Sequence, residues 1–396
     1  MKILYITLEN LSLHKGSVVH VKAIVSGLRK LGHHVGLAAI SSNQSENADH
    51  FYNLSVMPHP MLRLFRLKNQ PYLVSSILLF LYLLKILPRY DIIYARDFHT
   101  VIIALLPRIF FNKRLIFEIN GIAHEEQKLK SHSILNRILV SFIRKAEKMA
   151  TRCSDRVVSV TPQIATYLIQ DFHCQADKVK VIGNGVNTKI FQPIYDEKLL
   201  WSWRKKLGIK KEDVVIAFIG NLALWQGVNI LIESAFQLLS NRENLKFLIV
   251  GGGLLRGSLE KRVSNSIYEK KFIFTGMIEY EKIPILINIA DICVAPFISK
   301  RNRTTGVSPL KVFEYMACGK PIVCSRIEGL EFIEQEGVGR LIPPEDVMSL
   351  QEGLIDLIKN PQKRIMMGNK GLQIVCERFS WESRVTQIEE VLKKMA

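Results

Sequence analysis

Apolar runs of strand length alternate with segments of helical period, and the alternation passes along this chain twice. In the first half the runs are Ile3–Ile6, His34–Ala39, Asp91–Tyr94, Arg114–Ile119, Arg156–Val160 and Lys178–Ile182. Helical segments such as Val21–Leu31 and Ile134–Arg152 lie between them. Runs without a polar face belong to strands buried on both sides, and strands separated by helices pair in parallel. Asn184-Gly185-Val186-Asn187, Pro193 and a charged helix start near Asp196 then mark a boundary. Beyond it, strands are expected at Val214–Gly220, Lys246–Gly251, Phe272–Phe274, Ile292–Ala295, Pro321–Cys324 and Arg340–Ile342. Helices are expected at Gly227–Leu239, Leu254–Ser264 and Leu310–Ala317. At 396 residues the chain exceeds one ordinary core. The expected fold is α/β, with two doubly wound, Rossmann-like parallel-sheet domains facing a cleft. Ligands in such sheets sit outside the carboxyl ends of the strands.

The densest chemistry lies in the block Ser308-Pro309-Leu310-Lys311-Val312-Phe313-Glu314, which continues through Tyr315-Met316-Ala317-Cys318-Gly319-Lys320-Pro321. Ser308 reads as a helix N-cap and Pro309 as the first helical residue. Free N–H groups and the positive dipole end at such a start suit a diphosphate. Lys311 adds a charge there, and Glu314, one turn on, can accept hydrogen bonds from the two hydroxyls of a ribose. The same residues also make an ordinary capped helix with a Lys–Glu pair at i,i+3. Gly220, Gly251-Gly252-Gly253 and Gly276 close strands, where glycine lets backbone approach a ligand. Lys15-Gly16-Ser17 takes the corresponding place after the first strand, without a dinucleotide-binding glycine fingerprint. No Asp-x-Asp triplet and no His/Cys cluster of ligand spacing occurs, so neither a metal nor a cofactor is expected. Charge on a leaving diphosphate then falls to protein groups alone.

Residues 1–195 hold 25 Lys and Arg against 12 Asp and Glu, from 54 and 36 in the whole chain. All 10 His also lie in that half. Such a bias is expected to face an anionic membrane surface or a lipid-linked phosphate, although a solvated basic surface gives the same composition. Nucleic acid is not an expected partner, because the basic residues are not interleaved with aromatics in a recognisable module. The six Cys, several inside apolar runs, read as reduced thiols of a cytoplasmic protein. Residues 72–87 are the most membrane-like, but Ser75, Ser76 and Lys85 interrupt them, and a buried helix is preferred to a membrane-surface one. Met1–Ile6 is too short for a signal-peptide core. The expected location is cytoplasmic, peripheral on the inner face of the cytoplasmic membrane.

Taken in order, these motifs resemble the family-4 glycosyltransferases of the GT-B fold. The resemblance rests on Gly16-Ser17-Val18-Val19-His20, Gly32-His33-His34-Val35, Asn184-Gly185-Val186-Asn187, Gly220 through Gly227 and Gly251-Gly252-Gly253. It extends through Ala290-Asp291-Ile292-Cys293-Val294-Ala295-Pro296, the block from Glu314 to Pro321, and Arg378-Phe379-Ser380-Trp381. It implies an acceptor-binding domain over 1–190, a nucleotide-sugar donor domain over 191–379, and a C-terminal helix over 380–396 that crosses back to the first. It also implies metal-independent transfer of a sugar, with retention, from a nucleotide-diphosphate donor to a glycan or lipid-linked acceptor in cell-surface polysaccharide or glycoconjugate synthesis. The donor-binding residues would be Gly16, Ser17, Gly220, Asn221, Gln226, Gly252, Gly276, Ser308, Pro309, Lys311 and Glu314. Lys311, Glu314 and Asn120 would stand nearest the reaction, Asn120 where relatives carry a His. Arg96, Asp97, Glu118 and Glu125, which follow strands, are the acceptor-side candidates. Glu125-Glu126 also reads as a helix-opening pair.

The chain departs from the family pattern at three donor contacts. Gly306 stands where a first glutamate is usual, and Asn221 and Gln226 stand where an Arg and a Lys are usual. Because the Ser-Pro-x-Lys form occurs together with the Trp225-Gln226-Gly227 loop in this chain, Lys311 is the expected replacement cation. Rival readings are a non-catalytic nucleotide-sugar-binding subunit, favoured by those departures, and a GT-B nucleotide-sugar 2-epimerase, whose acidic residues are not identifiable in the sequence.

Overall fold

The computed structural model describes residues 1–12, 16–40, 51–53, 71–128, 131, 133–240 and 243–395. The chain forms two units, Met1–Gly183 with Arg384–Ala396, and Asn184–Ser383.

The first unit contains β1 (Lys2–Asn10), α1 (Gly16–Lys30), β2 (His34–Ile40), β3 (Phe51–Asn53), α2 (Pro71–Ile86), β4 (Ile92–Arg96) and α3 (Phe98–Phe110). It continues through β5 (Arg114–Ile119), α4 (Ala123–Lys128), α5 (Ile134–Cys153), β6 (Arg156–Ser159), α6 (Pro162–Gln170) and β7 (Val179–Val181). The sheet order is β3-β2-β1-β4-β5-β6-β7 and every pairing is parallel. Strand order reverses beside β1, which leaves an opening at the carboxyl ends of β1 and β4. The strands read as continuous apolar runs because both faces are covered: Leu4, Ile6, Ile93, Leu115, Phe117 and Val157 are fully buried. The helix expected over residues 72–87 is α2. It packs through Leu78, Leu79, Leu83 and Ile86, while Ile77, Leu81 and Leu84 stay exposed. Among the described residues no helix is long and apolar enough to cross a membrane. Lys15 lies outside the described residues.

The second unit contains α7 (Glu197–Lys206), β8 (Val214–Ile219), α8 (Val228–Leu239), β9 (Leu245–Val250), α9 (Arg256–Ser264), β10 (Phe272–Gly276), α10 (Ile283–Asn288) and β11 (Ile292–Ala295). Next come α11 (Ser299–Thr305), α12 (Leu310–Ala317), β12 (Ile322–Ser325), α13 (Phe332–Gln335), β13 (Gly339–Ile342), α14 (Val347–Lys359) and α15 (Pro361–Arg378), and the chain then leaves this unit through α16 (Trp381–Lys393). The parallel sheet runs β10-β9-β8-β11-β12-β13, so order reverses at β8 and β11. Two apolar cores flank it, one around Met316, Tyr315 and Val375 and the other around Leu231, Phe247 and Leu354. Most of α16 belongs to the first unit, where Val385 presses against Gly27 so closely that a Cβ there would lie 2.5 Å from its Cγ2.

Glycines draw the strand ends of the second unit together. At Gly251, φ is 129° and an added Cβ would run into the Gly220 carbonyl oxygen. The Gly251 N–H donates to the Gly276 carbonyl at 2.9 Å, which joins three consecutive strand ends. A β-carbon at this point must displace backbone while holding a dihedral that L-residues avoid. Gly251→Ala is therefore expected to lower the unfolding free energy by about 2–4 kcal/mol, read by urea denaturation. An unchanged midpoint would contradict this packing.

Candidate active site

In the second unit, the carboxyl end of β8 and the start of α12 meet at Lys311. Residue 220 is glycine for a steric reason: φ is 145°, and a Cβ would lie 2.8 Å from Lys311 Nζ. The Lys311 ammonium donates to Gln226 Oε1 at 2.7 Å and sits 3.8 Å from the Phe218 ring centroid and 5.6 Å from that of Phe297. Gln226 closes a short turn ended by Gly227, whose φ of 68° and contact with the Pro296 carbonyl leave no space for a side chain. Tyr315 fixes α12 against the sheet, its hydroxyl accepting the Ile219 N–H at 2.8 Å.

Burial pushes the Lys311 amine down to about 7, with Glu314 opposing the shift. Burial likewise pushes the Glu314 carboxyl up to about 7, with Lys311 opposing. Both side chains are about nine-tenths buried, at 9% exposure. Among the described residues no side chain donates a hydrogen bond to the Glu314 carboxylate. The pair thus combines a desolvated cation with a largely buried carboxyl, an arrangement suited to an anionic, hydroxyl-bearing ligand.

Two details differ from the sequence expectation. Ser308 does not cap α12. Its hydroxyl accepts the Asn184 N–H at 2.8 Å, and its carbonyl accepts Asn184 Nδ2 at 2.6 Å. Pro309 is the N-cap rather than the first helical residue, and it supplies no side-chain oxygen. The reason is the linker: Asn184 engages Ser308, the Val312 N–H donates to the Pro309 carbonyl at 3.1 Å, and the Leu310 and Lys311 amides of α12 remain for water or a ligand. Of the other predicted donor residues, Asn221 lies against Gly253, Gly252 against Met277, and Gly276 against Arg256 Nη1. Arg256, at the start of α9 and ion-paired with Glu260 at 2.8 Å, escaped sequence reading because no motif marks it.

In the first unit, the carboxyl ends of β4 and β5 and the first turns of α1 converge on Glu118. His20 Nε2 lies 2.7 Å from Glu118 Oε1, Arg96 Nε 3.5 Å from it, and Asn120 Nδ2 donates to it at 2.8 Å. Arg96 also donates from Nη1 to the Ser17 carbonyl at 2.8 Å, one residue after Gly16 opens α1. Burial alone would raise the Glu118 carboxyl, but His20, with help from Arg96 and Asn120, holds it at about 2. The neighbouring Asp97 goes the other way: burial pushes it up to about 6 against the pull of Arg96. Its φ of 70° is a strained value for a non-glycine residue, of the kind found at ligand sites. Beneath the network, Tyr5 and Tyr94 stack with centroids 5.0 Å apart, both hydroxyls buried. Ser17, Arg96, Glu118 and Asn120 are thereby brought together. His20 completes them; its signal was its place in the Gly16–His20 motif. Glu125 is not part of this network and pairs with Lys128 at 2.5 Å, as a helix-opening acid does.

Comparison with known proteins gives this arrangement a setting. Residues 201–374 match the family model described as glycosyl transferases group 1, and residues 14–190 match that of glycosyltransferase family 4. The chain is 25% identical over 395 residues to an uncharacterized glycosyltransferase of Methanocaldococcus jannaschii, covering 96% of this chain and 94% of that one. It is 26% identical over 321 residues to the UDP-Gal:alpha-D-GlcNAc-diphosphoundecaprenol alpha-1,3-galactosyltransferase of Escherichia coli, covering 79% and 78%. Among solved structures, the Anabaena protein HepE in complex with UDP-glucose superposes with a TM-score of 0.76 at 19% identity, covering both chains completely.

The Glu118 network predicts an acid dependence of stability. Its carboxyl is held at about 2, below an ordinary 4.5, so its contribution is present above the unfolded value and is lost as pH falls toward the folded one. Glu118→Ala leaves Arg96 buried without its counter-ion and His20 without its partner. It should cost about 3–5 kcal/mol at neutral pH, and the gap to the unaltered protein should close between about pH 4.5 and 2. Urea unfolding across that range checks both statements, and a gap constant with pH would refute the charge account.

Proposed function

We propose, from the premise that this chain belongs to the family-4 glycosyltransferases, that it moves a sugar from a nucleotide-diphosphate donor to a glycan or lipid-linked acceptor. It does so with retention of configuration and without a metal ion, in the assembly of cell-surface polysaccharide or glycoconjugate on the cytoplasmic side of the membrane. The observation that carries the reading is the convergence of Lys311, Gln226 and Gly220 at the end of β8. There a family cation is missing and the Lys311 ammonium reaches the same loop from α12. The E. coli relative, whose name specifies a diphosphoundecaprenol-linked acceptor, and HepE, solved with UDP-glucose, support the substrate class.

In this reading the donor diphosphate lies against the uncapped first turn of α12, with Gly220 giving backbone access and Ser308 and Pro309 shaping the turn. Lys311 neutralises charge that develops on the leaving diphosphate, and Glu314 accepts hydrogen bonds from the ribose hydroxyls. Gly252, Gly276 and Asn221 form the neighbouring strand-end loops. The acceptor hydroxyl attacks the anomeric carbon from the leaving-group side as the bond to the diphosphate oxygen breaks. Its proton passes to that oxygen, so no separate base is needed. In the first unit Arg96, Glu118 and Asn120, with Ser17 and Asp97, supply the polar contacts for the sugars. The absence of an Asp-x-Asp triplet from the sequence supports metal independence.

Incubation with a panel of nucleotide sugars and membrane lipid extract should release nucleoside diphosphate from one donor, and an excess of EDTA should leave the rate unchanged. Binding without turnover would instead support a non-catalytic subunit, and an epimerised donor would support an isomerase. Lys311→Ala should lower kcat/KM at least about tenfold, or ~1.4 kcal/mol, and unaltered kinetics would sink its role. Because the free Lys311 amine titrates at about 7, it is charged below that pH and must take up a proton to act above it. UDP affinity should therefore fall as pH rises from about 7 to 9, at up to about tenfold per unit. Lys311→Met should flatten the profile, as calorimetry can check; a slope retained in that variant would assign it to another group.

A further inference from the structure

We infer that Glu147 of α5, together with His124 of α4, positions the sugar-contacting residues at the end of β5, an inference that rests on the transferase reading above. Glu147 is the single acid on a helix with five basic residues, and it is buried. A buried carboxylate is costly unless hydrogen bonds replace its hydration. Here Oε1 accepts the Ala123 N–H at 2.7 Å, and Oε2 accepts the His124 N–H at 3.2 Å and lies 2.5 Å from the ring Nδ1 of His124. Ala123 opens α4, and the residue before it is Ile122, which has no side-chain acceptor. Glu147 therefore supplies from α5 the cap that α4 lacks. At six residues α4 is too short to hold its own shape, so this cap decides where it sits.

The fully buried His124 ring is held from a second side. Its Nε2 lies 2.9 Å from Tyr167 Oη of α6 and 3.3 Å from Glu125 Oε1. The ring packs on Tyr167 and Phe172, with centroids 5.7 and 5.9 Å away. Three helices thus meet on one imidazole, which fixes the start of α4 against both α5 and α6.

The link from this clamp to the sugar site is short. Only Asn120, Gly121 and Ile122 separate β5 from α4. Asn120 donates to Glu118 at one end of the link, and Ala123 donates to Glu147 at the other. Between them Ile122 is fully buried, and its carbonyl accepts the Glu126 N–H at 3.1 Å. Gly121 runs against Glu126, where a Cβ would lie 3.0 Å from Oε1. A segment tied at both ends has no slack, so releasing Ala123 frees the backbone that aims the Asn120 amide. Misplacing a substrate-orienting group by ~1 Å can cost about a hundredfold in rate. Glu147 and His124 are positioning residues that act through Asn120.

The test is a double-mutant cycle on the full chain, run with the nucleotide sugar that the parent turns over. Glu147→Leu keeps the volume and removes both acceptor oxygens. It should lower kcat at least about tenfold, while the donor KM and the affinity for UDP stay within about twofold. Asn120→Ala should also lose activity, and adding Glu147→Leu to it should cost at most about twofold more, because both changes act on one group. His124→Asn, whose amide can stand where Nδ1 stands, should keep most of the activity, whereas His124→Leu should behave like Glu147→Leu. If Glu147→Leu does not fold, the two His124 variants carry the same comparison. Hydrogen exchange supplies a readout apart from turnover: amides of residues 119–124 should exchange at least about tenfold faster in Glu147→Leu or His124→Leu, and those of β8 and β9 should not change. Additive losses in the cycle, a loss confined to KM, or unchanged exchange would each overturn the inference. A parent that releases nucleoside diphosphate from no donor would sink the transferase reading instead. The clamp is then judged on exchange alone, which upholds it if quickened and overturns it if not.

Discussion

A lysine ammonium held out of water at the start of α12 is the interaction around which the strand ends of the second unit are arranged. Desolvating a charge is costly unless something replaces the lost hydration. At Lys311 the replacements are one amide oxygen from Gln226 and the faces of Phe218 and Phe297. These partners fix three pieces of chain at once. Gly220 must lack a side chain so that the amine can reach over it, and the turn ending at Gly227 must bring Gln226 within 2.7 Å. Tyr315 holds α12 in register with β8. None of these partners carries a negative charge. The site is therefore poised for an anion in a way that an ordinary surface lysine is not.

The first unit solves the opposite problem. There a carboxylate is buried, and polar groups are gathered to compensate it: the Arg96 guanidinium and the His20 ring around Glu118, with Asn120 donating from its amide. The buried Glu118 and the partly buried Asp97 diverge, Glu118 held at about 2 by His20, Arg96 and Asn120 and Asp97 lifted to about 6 by desolvation. Separation of titration behaviour between adjacent carboxyls is a mark of functional sites. Its position beside the reversal of strand order, at the carboxyl ends of β4 and β5, is where doubly wound sheets bind ligands.

How much of this the sequence disclosed follows from the range of each interaction. The buried strands were legible because burial on both faces removes polar alternation, leaving runs such as Ile292–Ala295 unmistakable. Lys311 and Glu314 were legible because three residues on a helix share a face. Ser308 was misread because local preference favours a serine cap, whereas the partner that claims its hydroxyl is Asn184, 124 residues away in sequence. His20 was quoted but given no role, since only the pairing of β4 with β5 beside α1 brings Glu118 to it. Ile134–Arg152 was legible as a helix, but the exposure of Ile134, Leu135 and Phe142 on it is a fact of packing, invisible to periodicity.

The departures from the family pattern also change meaning once the backbone is known. Gly306 seemed a lost glutamate, yet its φ of 63° and ψ of −171° fall in a region that only glycine occupies without strain. It ends α11 by donating its N–H to the Asn302 carbonyl at 2.9 Å. A glutamate could not be restored there without rebuilding the turn, so the glycine belongs to a different loop design. Gln226 likewise is not a vacancy: a second cation at that position would face the Lys311 ammonium at hydrogen-bond distance and repel it. Lys311 and Gln226 are therefore one coupled solution, in which a cation from the helix excludes a cation from the loop.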